Sequence, residues 1–378
     1  MSKRTPSDAK SKMPSRRRFL TTAAASAAGG AALLAMPQVS RAQTITWKFQ
    51  STWPTKDIFH ENAADYVKRV NEMSGGRLKL DLLPAGAVVG AFQVQDACHS
   101  GVLDGAHGVT AYWYGKNKAA SLFGTPPAWG WDAHMMLGWQ HYGGGNELYN
   151  ELVQQILKLN VVGFLTGPMP TQPLGWFKKE VKGPDDLKNI KYRTVGLSAD
   201  VFKELGAAVT IVAGGEIVPA MDRGLLDAAE FNNPSSDLLL GFPDVSKVYM
   251  VQSYHQAAEC FEISFSKAKF DALPAELKAI LKYASEAASS DMLWKAQDRY
   301  SKDMAEIKKR GVKVYKTPKS VLEAQLKAWS TVVAKQSGEN AFFKKVCDSQ
   351  RAWVQRVTPF FDEFQVENTM AFDHNFKK

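Results

Sequence analysis

Cysteine is scarce in this chain: 378 residues carry three, Cys98, Cys260 and Cys347. Their wide spacing excludes a CxxC metal or redox motif and a disulfide framework. It leaves three buried thiols, or one bridge with a thiol left over. Reaction-centre signatures are missing as well. The seven histidines form no HExxH pair, and His134 and His141, two helical turns apart, read as structural. No GxSxG elbow, GxxxxGK(S/T) loop or GxGxxG after a strand occurs. The glycines of HYGGGNE lack the lysine and hydroxyl that a phosphate loop needs. Together these absences point away from an enzyme.

Strong basicity is also missing once the leader is set aside, although the formal net charge is +9. The first 42 residues hold eight Lys/Arg and one acid, Asp8, so only +2 remains beyond them. Nucleic acid is therefore not an expected partner. The leader has Arg16, Arg17 and Arg18 ahead of Phe19-Leu20, an alanine-rich stretch to Met36 and a small-x-Ala ending at Ala42. This pattern describes a removable signal peptide over 1–42, and the arginine pair marks the twin-arginine type that exports folded proteins to the periplasm. The Gly29-Gly30 break and the weakly apolar alanines argue against a membrane anchor.

What remains, 336 residues, exceeds what one core organises, so two lobes are expected. TITWKFQST alternates as a strand, HENAADYVKRVNEMSGG follows as a helix closed by Gly75-Gly76, and RLKLDLLP is a second strand. This β-α-β opening predicts a parallel sheet and an α/β fold. FQVQDACHSGVLDGAH and GEIVPAMDRGLLDAAE share one plan. Each runs helix, glycine stop (Gly101, Gly224), apolar pair, aspartate and two small residues, with His107 or Glu230 at the same offset. A helix-glycine-strand device in each half supports two similar lobes. From Pro274 to Gly311 the composition is helical for about ten turns, long enough to brace both. The expected layout is lobe I over 43–165 and 263–300, lobe II over 166–262, and the brace-helix end with a helical C-terminal region over 301–378. The last stretch, FFDEFQVENTMAFDHNFKK, carries no strong pattern.

Arg193 ends the strand KNIKYRT, where open α/β sheets bind ligands, and Ser198 can N-cap the following helix. Its guanidinium can grip a carboxylate with two parallel bonds; the bland reading is a structural pair with Asp185 or Asp186. Glu230 ends LLDAAEF in an apolar neighbourhood, where a carboxylate is costly unless it meets a cation, a ligand hydroxyl or Arg193. Gln172, in GPMPTQPLGWF, is a hard oxygen donor suited to Na⁺ or Ca²⁺, or a turn glutamine. Tyr112, Trp113 and Tyr114, with Trp53, can wall a ligand cleft or pack a core.

The two-lobe plan, the brace helix and EIVPAMDRGLLDAAEF resemble the DctP-type solute-binding proteins of TRAP transporters, with Glu216, Ala220, Gly224, Asp227 and Ala228 in place and Val218 where an aromatic is usual. The resemblance runs from about Thr44 to the brace helix and implies a periplasmic-binding-protein-like fold. TQPLGWF, KYRT and DAAEF are spaced as in the subgroup that binds 2-oxo acids or lactate with a metal ion. The resemblance implies Gln172, Glu230 and the Phe231 carbonyl as ligands of a Na or Ca cation, with Arg193 on the carboxylate. Phe231 stands where that subgroup usually has tryptophan. Asn232 and Glu259 are further candidates facing the cleft, Glu259 as a metal ligand. Membrane subunits of a TRAP transporter, a small carboxylate and a homodimer are the implied partners. The alternatives are a metal-free site for an aromatic acid, sugar acid or dicarboxylate, a sensor-input protein, and an exported oxidoreductase.

Overall fold

The alternation after residue 43 becomes strand β1 (Ile45–Ser51), which buries Trp47 and Phe49 and exposes Thr46 and Lys48. A computed structural model describes residues 44–377; the expected signal segment and its cleavage site lie outside the described residues. Helix α1 (Ile58–Met73) follows, N-capped by Asp57, whose carboxylate accepts the Phe59 N–H at 3.0 Å. Strand β2 (Leu78–Leu83), helix α2 (Val94–Ser100) and strand β3 (Gly105–Gly108) complete the opening. Both β2 and β3 lie parallel to β1, as a right-handed β-α-β start requires.

Two sheets form among the described residues. In the first, ordered β2-β1-β3-β10-β4, β10 (Glu259–Ser266) lies antiparallel to β3 and to β4 (Val161–Met169). The second is ordered β11-β9-β5-β8-β6-β7, with β5 (Gly175–Phe177), β6 (Lys191–Arg193), β7 (Ala208–Thr210), β8 (Ala228–Ala229), β9 (Val248–Val251) and β11 (Lys313–Lys316). Its strands β8, β6 and β7 run parallel, and β5 lies antiparallel to both neighbours. The edge strand β11 falls in VKVYKTP, whose alternation between the long helix and Lys319 reads as a strand. Helix α3 (Ala133–Tyr142) precedes β4, α4 (Ser198–Glu204) and α5 (Gly214–Asp222) surround β7, and α6 (Pro234–Leu240) follows β8. The echoed glycines, Gly101 and Gly224, both take left-handed backbone with φ of +79° and +71°.

The chain passes between the sheets three times. Residues 170–174 lead from β4 to β5, residues 252–258 return from β9 to β10, and α7 (Ala275–Lys309) carries the chain back to β11. This 35-residue helix packs on α1 and β4 on one side of the molecule and on α6 on the other. Its serines lock it to β4: Thr166 Oγ1 lies 2.8 Å from Ser289 Oγ, which also accepts the Gly167 N–H at 3.0 Å. The strand cores close around Phe49, Tyr66, Ile263 and Phe265 in the first sheet, and around Phe177, Tyr192, Phe202 and Met250 in the second.

Three readings need correction or completion. The weakly patterned tail is helical: α9 (Ala341–Phe364) follows α8 (Lys319–Glu339), and α10 (Asn368–Phe376) ends the described chain. Ser198 does not cap α4; Leu197 holds that position, and the serine hydroxyl donates to the His255 carbonyl at 2.8 Å. All three cysteines are free and buried.

Gly175 is required where β5 meets β8. Its φ is +124°, and a Cβ there would stand 2.4 Å from the Ala229 carbonyl oxygen and 2.9 Å from the Glu230 Cα. We expect Gly175→Ala to destabilise the protein by about 2–4 kcal/mol in urea unfolding, through backbone strain and steric overlap together.

Candidate functional site

Parallel pairing of β6 with β8 sets Arg193 opposite Ala229, so Glu230 emerges beside it at the carboxyl ends of the strands. Arg193 is 1% exposed and Glu230 fully buried. Their side chains pair, with Arg193 Nη1 3.0 Å from Glu230 Oε1. The same nitrogen donates to the Glu230 carbonyl at 3.1 Å. Nε and Nη2 both donate to the Val212 carbonyl, at 3.1 and 2.9 Å. The guanidinium stands 5.6 Å from the centre of the Phe231 ring. Of its five N–H groups, one on Nη2 is left over after these contacts. The bland pairing fails on geometry: Asp185 pairs with Lys188, and Asp186 accepts the Lys182 N–H.

The crossing segments supply the next residues. Glu259 opens β10 opposite Met169, the last residue of β4, and Gln172 follows three positions later. Gln172 Nε2 donates to Glu259 Oε2 at 2.7 Å, which turns the amide oxygen away from the carboxylate. That oxygen, Glu230 Oε2 and Asn232 Oδ1 are buried with no hydrogen-bond partner. Buried acceptors are rarely left unpaired; Glu259, which holds Gln172, feels both Glu230 and Arg193, so the Gln172 and Glu230 oxygens share one neighbourhood with room for something positive or hydrogen-donating. Burial pushes the Glu230 carboxyl up to about 7 against Arg193, the Thr194 hydroxyl and the Val195 N–H, the last two close to the carboxylate but short of full hydrogen-bond geometry with Oε2. Burial, with Glu230 adding repulsion, pushes Glu259 up to about 8 against the Gln172 hydrogen bond. Among the described residues no group of three or more His, Cys, Asp or Glu side chains could hold a metal alone. A cation here would depend on amide and carbonyl oxygens besides the two carboxylates.

Tyr112 is half-buried, its ring 5.9 Å from Trp53 and 4.7 Å from Phe92. Trp53 itself is fixed by an indole N–H donated to His107 Nδ1 at 2.9 Å. Burial holds His107 neutral, at about 3. The echoed offset positions thus both serve this region, one orienting an aromatic and the other the arginine. Trp113 does not join them. Its indole donates to Glu262, which also accepts the Tyr149 hydroxyl, and its ring belongs to the core of α2, α3 and β4. A strand-end run of aromatics does not reveal which ring turns inward, and the buried carboxylate claims this one.

Two contributors escaped sequence reasoning. Val212 acts through a backbone carbonyl, which no side-chain pattern reveals. Asp57 Oδ1 accepts the Ser236 hydroxyl at 2.6 Å, tying the start of α1 to α6, while its Oδ2 is buried without a partner. Burial pushes this carboxyl up to about 6. An aspartate before a helical run signals a cap, and the tie to Ser236 is a tertiary contact 179 residues away.

The family model described as bacterial extracellular solute-binding protein, family 7 (DctP), matches residues 49–339. A second, described as Ubiquitinol-cytochrome C reductase Fe-S subunit TAT signal, matches residues 6–41. The monocarboxylate 2-oxoacid-binding periplasmic protein all3028 of Nostoc sp. is 29% identical over 313 residues, covering 83% of this chain and 85% of that protein. A TRAP transporter solute-binding protein of Bordetella bronchiseptica, a mixed-occupancy dimer with calcium and picolinate in its active site, superposes with a TM-score of 0.83. It is 27% identical, with 88% of this chain and 97% of that one covered. A TRAP periplasmic solute-binding protein of Pseudoalteromonas atlantica with bound sodium and pyruvate gives a TM-score of 0.81 at 28% identity, covering 89% and 100%. No helix among the described residues is long and apolar enough to cross a membrane.

Glu262 offers a test of burial apart from the oxygen cluster. Its carboxyl is pushed up to about 7 by burial, so the stabilisation from its proton is full below about 4.5 and is lost as pH rises through 7. The raised Asp57, Glu230, Asp237 and Glu259 act in the same direction. We expect urea unfolding in chelator to show stability falling from pH 5 to pH 8. Glu262→Gln should reduce that fall by about 2–3 kcal/mol.

Proposed function

This chain belongs to the bacterial extracellular solute-binding protein family 7 (DctP), whose members serve TRAP transport rather than catalysis, and from that premise we propose that it binds a small 2-oxo or 2-hydroxy monocarboxylate together with a cation. The observation that carries the reading is the set of buried, unpartnered oxygens of Gln172 and Glu230 beside the buried Arg193. Gln172, Glu230 and the Phe231 carbonyl would hold the cation, with Glu259 orienting Gln172. The cation would supply positive charge to the carboxylate and the neighbouring oxo or hydroxyl oxygen of the acid, a pair of hard donors suited to Na⁺ or Ca²⁺. The relatives that carry calcium with picolinate or sodium with pyruvate support this ligand chemistry.

Arg193 acts on the outer side of the acid. Its unclaimed Nη2 N–H takes one carboxylate oxygen, and Nη1 takes the other by exchanging Glu230 Oε1 for it. Val212 keeps the guanidinium plane in place during that exchange. Glu230 balances the positive charge that a cation adds beside Arg193. The match of residues 6–41 supports export by the twin-arginine route to the periplasm, where the loaded protein would meet TRAP membrane subunits.

A second copy is the proposed partner of the C-terminal helices. Phe360, Phe364, Val366, Met370, Phe372 and Phe376 are 53–82% exposed on the end of α9, in the link after it and along α10. A cavity of about 440 Å³ between α3 and α9, walled by Gly138, Tyr142, Trp353 and Phe360 with His134 and Arg356 among its lining, offers a seat for α10 of the second copy. Apolar surface of this extent on one end of a soluble protein marks an interface.

Calorimetric titration with pyruvate should give tight binding in calcium or sodium and weak binding in chelator. Arg193→Lys, which loses the fork, should weaken it at least 100-fold. Binding indifferent to cations would instead favour the metal-free carboxylate site. Sedimentation at micromolar concentration should return a dimer, and truncation after Gln365 a monomer.

A further inference from the structure

Beside the oxygen cluster lies a cavity of about 310 Å³ lined by Phe92, Ala111, Tyr112, Tyr114, Gly115, Val195, Gly196 and Ile211. One wall, Phe92 with Ala111, Tyr112, Tyr114 and Gly115, comes from the chain just before α2 and just after β3; the other continues the strand ends that hold the arginine. Val195 stands two residues past Arg193. Ile211 lies between Thr210, the register partner of Arg193, and Val212, whose carbonyl fixes the guanidinium. Tyr112 lines the cavity and also packs against Trp53, which shares a core with Phe231. No charged side chain lines the space, and the Tyr114 hydroxyl is already committed to Asp200 at 2.8 Å. It is room that about ten waters would fill, far more than the methyl group of pyruvate needs.

We infer that this cavity is the side-chain subsite of the ligand and selects 2-oxo or 2-hydroxy monocarboxylates with an apolar alkyl or aryl tail, with Tyr112, Ile211 and Gly115 as the residues that set tail size. The inference rests on the functional reading above. The acid end occupies Arg193, and the tail passes Tyr112 and Val195 into the apolar space. Each buried methylene raises affinity about four-fold. A second carboxylate at the end of the tail finds no cation on the lining; Lys118, 5.6 Å from the Tyr114 ring centre, is already paired with Asp200 at 3.2 Å, so desolvation disfavours the diacid.

Gly115, exposed at the rim of the cavity, gives a way to narrow its mouth. A Cβ built there meets nothing within 4 Å, and its backbone is not in the left-handed region, so a side chain is accepted without strain. Ile211, 42% exposed, is a second position whose change spares the core. The experiment is calorimetric titration of the full mature protein in calcium with pyruvate, 2-oxopentanoate, 4-methyl-2-oxopentanoate, 3-phenyl-2-oxopropanoate and 2-oxopentanedioate. Affinity should rise at least ten-fold from pyruvate to the five- and six-carbon monoacids, with the diacid weakest. Gly115→Leu and Ile211→Trp should each lower the ratio of 4-methyl-2-oxopentanoate to pyruvate affinity at least ten-fold. Pyruvate bound as tightly as the longer monoacids, or a ratio that neither variant moves, would overturn the subsite and leave the acid-binding reading standing. Failure of every acid to bind would overturn both.

Discussion

A guanidinium taken out of water must keep its charge, and the architecture around Arg193 answers that constraint. Arginine cannot shed its proton inside a protein, so burial at 1% exposure obliges the surroundings to supply acceptors. The parallel register of β6 and β8 supplies Glu230, and the chain leaving β7 supplies the Val212 carbonyl. Removing one partner of such a pair costs several kcal/mol, because the other is left charged and dry. The strand ends of the second sheet are thus fixed by electrostatics as much as by packing.

That arrangement leaves the region overstocked with acid. Glu230, Glu259, Asp57 and Asp237 are all buried, and burial raises each of them. With Arg193 as the neighbouring cation, protons or an added positive charge must make up the difference. Cation binding to such a site releases protons and so strengthens as pH rises. Because Gln172 lies on one segment that crosses between the sheets and Glu259 is the residue where the other ends, whatever settles there touches the places where the halves would bend. Occupancy and shape would then be coupled through position.

Much of this was legible in the order of residues. Arg193 and Glu230 stand out because strand ends in open α/β sheets are where side chains converge, and the echo of Gly101 and Gly224 marks two such ends; Gln172, in a Pro- and Gly-rich turn, is singled out only by the resemblance to the DctP-type proteins. The brace helix was legible because ten turns of helical composition between Pro274 and Gly311 admit little else. What could not be read depended on tertiary partners. Val212 contributes a carbonyl without a side-chain signature. Trp113 was drawn to Glu262 by a contact 149 residues away, and Ser198 to His255 rather than to its own helix. The tail showed little pattern because α10 has no buried residue, so its sequence lacks the periodicity that packing imposes.

Three passages join the two sheets: residues 170–174, residues 252–258, and the long helix α7. A body hung on two flexible strands can both fold toward its partner and swivel about the line between them. A rigid strut anchored through Thr166 and Ser289 on one side and through α6 on the other removes the swivel. A bend across the two short segments would remain, worked against the core that Leu197 and Val201 share with Trp329 of α8 and Phe343 of α9. Any opening of the molecule would then be nearly one-dimensional. Thermal motion would be spent along a single coordinate, and the two halves would return to the same register each time they meet.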